Sequence, residues 1–160
     1  MLVGANGCGK THSLNAVANW IAKVGHGIQY EVPPNKITYV MAESWHWPSL
    51  VDKLKSGQWD LVTELIEAGV LLVDELGGEY DPSKMASEKF SSILSHRENK
   101  WNMITTNIMM GDWERIMERR IASRLFRNAT IIDLSQVPDY SLWKSMGTVE
   151  TEIKHTTNDP

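Results

Sequence analysis

A glycine-rich loop near the amino terminus is the clearest chemical feature of the chain. Residues 4–11 match the phosphate-binding pattern G-x-x-x-x-G-K-[ST] at every fixed position. Glycines let successive backbone N–H groups turn inward around a phosphate, where larger side chains would obstruct the approach. In this pattern the lysine contacts the β- and γ-phosphates, and the hydroxyl group holds Mg²⁺. The predicted nucleotide-binding residues are therefore Gly4, Ala5, Asn6, Gly7, Cys8, Gly9, Lys10 and Thr11, with Thr11 also a ligand of Mg²⁺.

Two acidic residues follow a second segment of interest. Residues 70–73 are an apolar run long enough for a strand buried on both faces, and Asp74 and Glu75 come directly after it. At the end of a strand beside a phosphate-binding loop, Asp74 would bind Mg²⁺ through water and Glu75 would polarise the attacking water. A surface acid pair after a core strand is the alternative, and the loop upstream favours the metal-binding and catalytic roles.

Asn107 ends the predicted strand at residues 103–107, in the position that the acids take after residues 70–73. This position predicts an amide near the same γ-phosphate. An asparagine in a turn or at a helix cap would look similar in the sequence, so both interpretations stay open.

An arginine-bearing segment is predicted to be a helix with Asp112 as its cap. At 100° per residue, Trp113, Met117, Arg120 and Arg124 fall on one face. Because a partly apolar face usually packs inward, its two guanidinium groups need an anionic partner. A phosphate in a neighbouring subunit or a carboxylate within the chain would serve equally well.

Single-stranded DNA is a weaker candidate ligand. The formal net charge is −4, so a DNA contact has to come from a local patch. Arg115 and Arg119, on the opposite face of the same helix, are such a patch. Charged pairs on a helix are more often simply solvated.

The elements that position these residues alternate between strand and helix, which favours an α/β fold. Strands are predicted at residues 1–3, 36–42, 70–73, 103–107 and 130–134. Helices are predicted at residues 12–24, 49–54, 59–66 and 83–98, and from residue 112 onward. Among the tryptophans, core packing is the default for Trp45 and Trp47, with a solvent-facing or partner-facing role as the alternative. Leu142 and Trp143 are expected to dock on the core.

Size and composition fit one domain. The chain has 160 residues, of which 42% are hydrophobic, and its single cysteine excludes an intramolecular disulfide. These features suit a reducing cytoplasm. No apolar run approaches the length of a bilayer span, so no membrane association is expected. The polar residues 147–160 are expected to form a disordered tail.

Four separated segments resemble one known family. The segments are Gly7-Cys8-Gly9-Lys10-Thr11-His12, Leu71-Leu72-Val73-Asp74-Glu75-Leu76-Gly77, Ile104-Thr105-Thr106-Asn107 and Arg120-Ile121-Ala122-Ser123-Arg124-Leu125, with a later Asp-Tyr pair. They are similar to the AAA+ ATPases of helicase loaders and transposase helpers, the DnaC and IstB type. The likeness covers nearly the whole chain. It implies a P-loop NTPase three-layer sandwich with a five-stranded parallel sheet, and residues 1–146 as the AAA+ core.

The resemblance also implies roles for individual residues. The loop, with His12 added, would bind ATP and Mg²⁺, and Asn107 looks like the sensor that positions the lytic water. Arg124 looks like an arginine finger inserted into the next subunit's site, with Arg120 as a supporting cation. Such proteins form rings or spirals on DNA and act on a replicative helicase or another DNA-bound client, in the cytoplasm of a bacterium or of a phage-infected host.

Departures from the family pattern concern the two ends of the chain. The sequence begins almost at the phosphate-binding loop, which predicts a core truncated at its amino terminus, with a short first strand and without the upstream residues that usually help to hold the adenine. Ser141 stands where the family often has a nucleotide-sensing arginine, a role for which Lys144 is the available substitute.

Three functions compete at this point. The first is an ATP-hydrolysing loader or remodeller of a helicase in DNA replication. The second is a P-loop kinase acting on a small molecule, although the acid pair and Asn107 favour water as the phosphate acceptor. The third is a nucleotide-binding interaction module with little turnover.

Overall fold

The computed structural model describes residues 1–24, 29–32, 36–39, 42–77, 85–113, 119–127 and 129–145, with only the backbone at residues 29–32, 36–39, 59, 120 and 121. The predicted tail at residues 147–160, Arg115, Met117 and the Arg120 side chain lie outside this description. The strands are β1 (Leu2–Val3), β2 (Gln29–Val32), β3 (Lys36–Tyr39), β4 (Ala42–His46), β5 (Val70–Asp74), β6 (Trp101–Thr106) and β7 (Ile132–Asp133). The helices are α1 (Lys10–Val24), α2 (Trp47–Lys55), α3 (Trp59–Glu67), α4 (Met85–His96) and α5 (Arg119–Phe126), with a 3₁₀ turn at Met110–Asp112.

Five strands form one sheet in the order β4-β5-β6-β1-β7, and every neighbouring pair is parallel. All the carboxyl ends of these strands therefore meet at one edge of the sheet. That edge carries the end of β1, where the glycine-rich loop begins, and Asp74 at the end of β5. Helix α1 starts from the loop and packs against β4, β5 and β6. The predicted α/β fold with a five-stranded parallel sheet is confirmed.

The main core lies among β5, β6 and helices α2 to α5. Trp47, which begins α2, is fully buried, and its ring centroid is 4.8 Å from that of Phe90 on α4. Trp113 is also buried and makes an edge-to-face contact with Phe126, with 5.3 Å between the centroids. Core packing, the default expectation, is therefore confirmed for Trp47. None of the described helices is both long and apolar enough to cross a membrane.

The second strand of the sheet was predicted too early in the chain. Residues 36–39 pair with residues 29–32 in a separate antiparallel hairpin, and the strand of the main sheet is β4 at Ala42–His46. β-branched and aromatic residues indicate an extended backbone but not the sheet that it joins. As a result, Trp45 lies within β4 and His46 is the last residue of β4, whereas a strand at residues 36–42 would have left both in the loop that follows it.

One smaller expectation lies partly outside the described residues, and another was wrong. Asp112 ends the 3₁₀ turn at Met110–Asp112, and most of the helix that it was expected to cap falls on residues 114–118, which the structure does not describe. Leu142 and Trp143 are 61% and 63% exposed, so they do not dock on the core. The sequence could not reveal this exposure, because an apolar pair after a turn is compatible with either outcome.

A buried guanidinium group joins α3 to the amino-terminal end of β6. Arg97 is 1% exposed, and its Nη1 donates to the carbonyls of Leu65 and Ala68 at 2.7 and 2.6 Å. Its Nε donates to Asn102 Oδ1 at 2.7 Å and its Nη2 to the Trp101 carbonyl at 2.9 Å. Burial lowers the pKa of Arg97 to about 10, so the group stays charged at neutral pH. One cation thus satisfies carbonyls that the end of α3 would otherwise leave unpaired.

Arg97→Met is expected to lower the free energy of unfolding by about 3 kcal/mol or more, because several buried acceptors lose their donor. Urea denaturation measures this change. Arg127→Met is the matched control, since the side chain of Arg127 makes, among the described residues, only an exposed 3.4 Å ion pair with Glu98. The free energy of unfolding of Arg127→Met should fall by less than about 1 kcal/mol. Equal losses in the two variants would contradict the role given to Arg97.

Candidate functional site

The glycine-rich loop between β1 and α1 has the backbone geometry of a phosphate cradle. Gly7 and Gly9 have φ angles of 75° and 91°, which side-chain-bearing residues rarely adopt. A Cβ on Gly7 would lie 2.1 Å from Cγ of Asp139, so this position also needs glycine for space. A Cβ on Gly9 would meet nothing within 4 Å, so the loop is open on that side.

Lys10 is the charged centre of this loop. Its side chain is buried, and Nζ donates to the carbonyls of Gly4 and Ala5 at 2.9 and 2.6 Å. No carboxylate within the described part of the chain forms an ion pair with it. Because a buried cation balanced only by carbonyl dipoles favours an anion nearby, the loop fits a polyphosphate. Thr11 and His12 follow at the exposed start of α1.

The acids after β5 are fixed by a side chain of the neighbouring strand. The hydroxyl of Thr105 on β6, which is fully buried, donates to the Asp74 carboxylate. The same oxygen accepts from the Glu75 N–H at 2.9 Å, and the Thr105 carbonyl accepts from the Leu76 N–H at 2.9 Å. These bonds hold Glu75 at a φ of 61°, a left-handed conformation that is strained for a residue other than glycine.

The Glu75 side chain contacts a residue that the sequence analysis did not select. His46, at the end of β4, has its Nε2 3.0 Å from Glu75 Oε2, and both side chains are about half exposed. Glu75 and Asn107 also line one cavity of about 180 Å³, together with Leu76, Gly77, Ile108, Met109 and Asp112. The predicted water-activating acid and the predicted sensor amide therefore face a common space.

Arg124 lies on α5 and contacts α4. Its Nη1 donates to the hydroxyl and the carbonyl of Ser91 at 2.8 and 3.3 Å, and the side chain is partly exposed. Among the described residues it has no carboxylate partner, so the internal ion pair considered from the sequence is not found. Arg119 is exposed on the same helix.

The structure thus brings most of the selected residues to one edge of the sheet. Lys10 and Thr11 follow β1, Asp74 ends β5 with Glu75 directly after it, and Asn107 follows β6. In the sheet, β6 lies between β1 and β5. Within the part of the chain that the structure describes, no three His, Cys, Asp or Glu side chains form a metal-binding cluster. The Thr11 hydroxyl and the Asp74 carboxylate are oxygen donors of the kind that suits Mg²⁺, which usually also takes phosphate and water ligands.

Three contributors to this edge were missed in the sequence. His46 was missed because the second strand was placed too early, so its position beside β5 was not anticipated. Thr105 precedes the selected Asn107 by two residues and could have been found from the rule that parallel neighbours share register. Asp139 belongs to the Asp-Tyr pair of the family resemblance, but its packing on Gly7 was not predicted, since the contact joins distant parts of the chain.

Comparisons with known proteins agree with this arrangement. A family model described as the bacterial DnaA ATPase domain matches residues 1–133. Among solved structures, the chain is similar to DnaI, with 26% identity, a TM-score of 0.66, and 86% of this chain and 70% of that one covered. It is also similar to the DnaC helicase loader, with 23% identity, a TM-score of 0.62, and 82% and 75% covered. No curated protein matched the sequence.

More distant structures share the fold over only part of their length. AMPPCP-bound DnaA from Aquifex aeolicus is 16% identical, with a TM-score of 0.65 and 84% of this chain covered. The chain spans about two fifths of the length of that protein, 39%. At such identities the likeness concerns the fold alone.

Proposed function

Because this chain belongs to the bacterial DnaA ATPase domain family, which is of the AAA+ type, we propose that it binds and hydrolyses ATP and acts in DNA replication as a loader or remodeller of a replicative helicase. One observation carries this proposal. A buried lysine with no anionic partner among the residues that the structure describes lies in a glycine-rich loop, at the sheet edge where Thr105 fixes two acids. The similarity in fold to DnaA with bound AMPPCP supports ATP as the nucleotide. The similarity in fold to the DnaC helicase loader supports a helicase as the client.

Lys10 and the loop hold the triphosphate. Backbone N–H groups of the loop and the amino-terminal end of α1 donate to phosphate oxygens. When the nucleotide arrives, Lys10 exchanges its bonds to the Gly4 and Ala5 carbonyls for charge-assisted bonds to phosphate. Thr11 and Asp74 would hold Mg²⁺, which when bound neutralises phosphate charge.

Glu75 and Asn107 act on the water that attacks the γ-phosphate. Both line the same cavity, which has room for water. Glu75 accepts a proton from that water as it attacks, and Asn107 orients the water through its amide. Thr105 fixes the backbone of Glu75, and His46 holds the carboxylate at 3.0 Å until the water is in place.

Arg124 completes the site from a neighbouring subunit in this proposal. In the single chain its only hydrogen-bond acceptors among the described residues are the two oxygens of Ser91, which are neutral. A γ-phosphate presented by the next subunit of a ring or spiral would give the guanidinium group the anion that it lacks. Arg120 is proposed as a supporting cation, and Arg119 as a weak contact to single-stranded DNA.

Phosphate release from ATP, measured with and without single-stranded DNA, tests the proposed activity. Release that requires Mg²⁺ and no added acceptor supports hydrolysis. Phosphate transfer to a small hydroxyl compound instead of water would identify a kinase. Tight ATP binding with negligible release, also in the presence of DNA and a replicative helicase, would leave only a nucleotide-binding interaction module.

A further inference from the structure

An exposed aromatic pair lies beside the phosphate-binding loop, and the proposed hydrolysis does not use it. Tyr140 and Trp143 are 61% and 63% exposed. Their ring centroids are 6.1 Å apart, and the ring planes are inclined by 33°. Leu142, between them in sequence, is 61% exposed. Exposed apolar side chains that lie next to one another in this way often mark a binding site.

Backbone contacts fix this pair against the loop. The Tyr140 N–H donates to the carbonyl of Gly7 at 3.1 Å, and the Asp139 carboxylate packs on the Gly7 Cα. Oδ1 of Asp139 accepts from the Ser141 N–H at 2.7 Å and so starts the helical turn at residues 140–145. In that turn the Trp143 N–H donates to the Asp139 carbonyl at 2.9 Å. Both rings therefore belong to one helical turn, whose backbone is hydrogen-bonded to the loop.

We infer that Tyr140 and Trp143 form a stacking platform for the base of the nucleotide whose phosphates the loop holds. This inference rests on the proposed function, because only a triphosphate in the loop brings a base to this place. A nucleobase is a flat ring with a π face, and aromatic side chains bind such faces by stacking. The hydrogen bond between Tyr140 and Gly7 sets the platform next to the cradle.

A consequence for specificity follows from stacking. Because every base has a π face, stacking distinguishes bases by ring size more than by their hydrogen-bonding edges. The platform should accept ATP and GTP with similar affinity, and CTP more weakly. Discrimination between nucleotides at this site is therefore expected to be low.

Calorimetric titrations with ATP and with inorganic tripolyphosphate, both with Mg²⁺, test the platform. In the Tyr140→Ala/Trp143→Ala variant the Kd for ATP should rise on the order of tenfold, the loss expected for one stacked base. The Kd for tripolyphosphate should stay unchanged, since it has no base. Tyr140→Phe keeps a ring and should keep the affinity for ATP.

Trp101→Ala is the matched control. Trp101 is 80% exposed at the first residue of β6, the opposite end of that strand from Thr106, and its loss should alter neither titration. Unchanged ATP affinity in the double variant, or equal losses for ATP and tripolyphosphate, would overturn the platform. A change in subunit association without a change in ATP affinity would assign the pair to a protein contact instead. A wild-type chain that binds neither ligand would overturn the proposed function itself, and the platform with it.

Discussion

Glu75→Gln is expected to slow ATP hydrolysis on the order of 10³-fold while ATP still binds. Glutamine has nearly the same shape as glutamate and can still hydrogen-bond to His46, which lies 3.0 Å from the Glu75 carboxylate. It cannot accept the proton of the attacking water. The backbone of residue 75, held by the Thr105 hydroxyl, needs no rearrangement. The variant should therefore bind ATP without turning it over.

Single-turnover phosphate release and a separate ATP titration give the two quantities. Glu67→Gln is a matched control, because Glu67 is an exposed glutamate at the end of α3, just before the start of β5, whereas the acid pair lies at the other end of that strand. It should leave both quantities unchanged. Undiminished hydrolysis in Glu75→Gln would remove Glu75 from its role, and lost binding would point to a part in holding the nucleotide.

Arg124→Ala is expected to lower turnover on the order of 10³-fold, as for arginine fingers that act in trans, without loss of ATP binding. Arg124 also contacts Ser91, so the same change removes a contact within the chain. Ser91→Ala separates the two effects, because it removes the hydroxyl partner and leaves the guanidinium group. Turnover should survive Ser91→Ala and be lost in Arg124→Ala.

Mixing two inactive variants tests whether Arg124 acts across a subunit boundary. Arg124→Ala subunits keep Lys10, and Lys10→Ala subunits keep Arg124. At a mixed interface one subunit supplies the loop and the other the arginine, so the mixture should recover part of the activity. Arg127→Ala, which loses only an exposed ion pair to Glu98, should be fully active alone. A mixture as inactive as its components would argue against a role in trans.

The features that could be predicted from the sequence are those encoded by short patterns. Lys10 and Thr11 belong to a motif whose spacing fixes a loop geometry, and the apolar run before Asp74 is long enough to identify a buried strand. Both appear in the structure at the carboxyl-terminal edge of one sheet. The burial expected for Trp113 and the partial burial of Arg124 are also found, although the residues that would join them in one helix, 114–118, lie outside the described part of the chain.

The features that escaped prediction depend on contacts between distant residues. Residues 36–39 look like a strand and are one, yet pairing with residues 29–32 takes them out of the main sheet. His46 therefore reaches Glu75 through a sheet position that local propensity does not encode. The packing of Asp139 on the loop likewise joins residues far apart in the sequence.

Titration of ATP with Mg²⁺ into the wild-type chain and into Lys10→Ala tests the central claim most directly. The claim is that the buried, carboxylate-free Lys10 in the loop holds the triphosphate. The wild type should bind ATP. Lys10→Ala should bind ATP on the order of 100-fold more weakly, since charge-assisted bonds to phosphate are lost. Lys23 is an exposed lysine on the same helix, so Lys23→Ala should match the wild type. Equal affinity in all three chains, or no binding by the wild type, would contradict it.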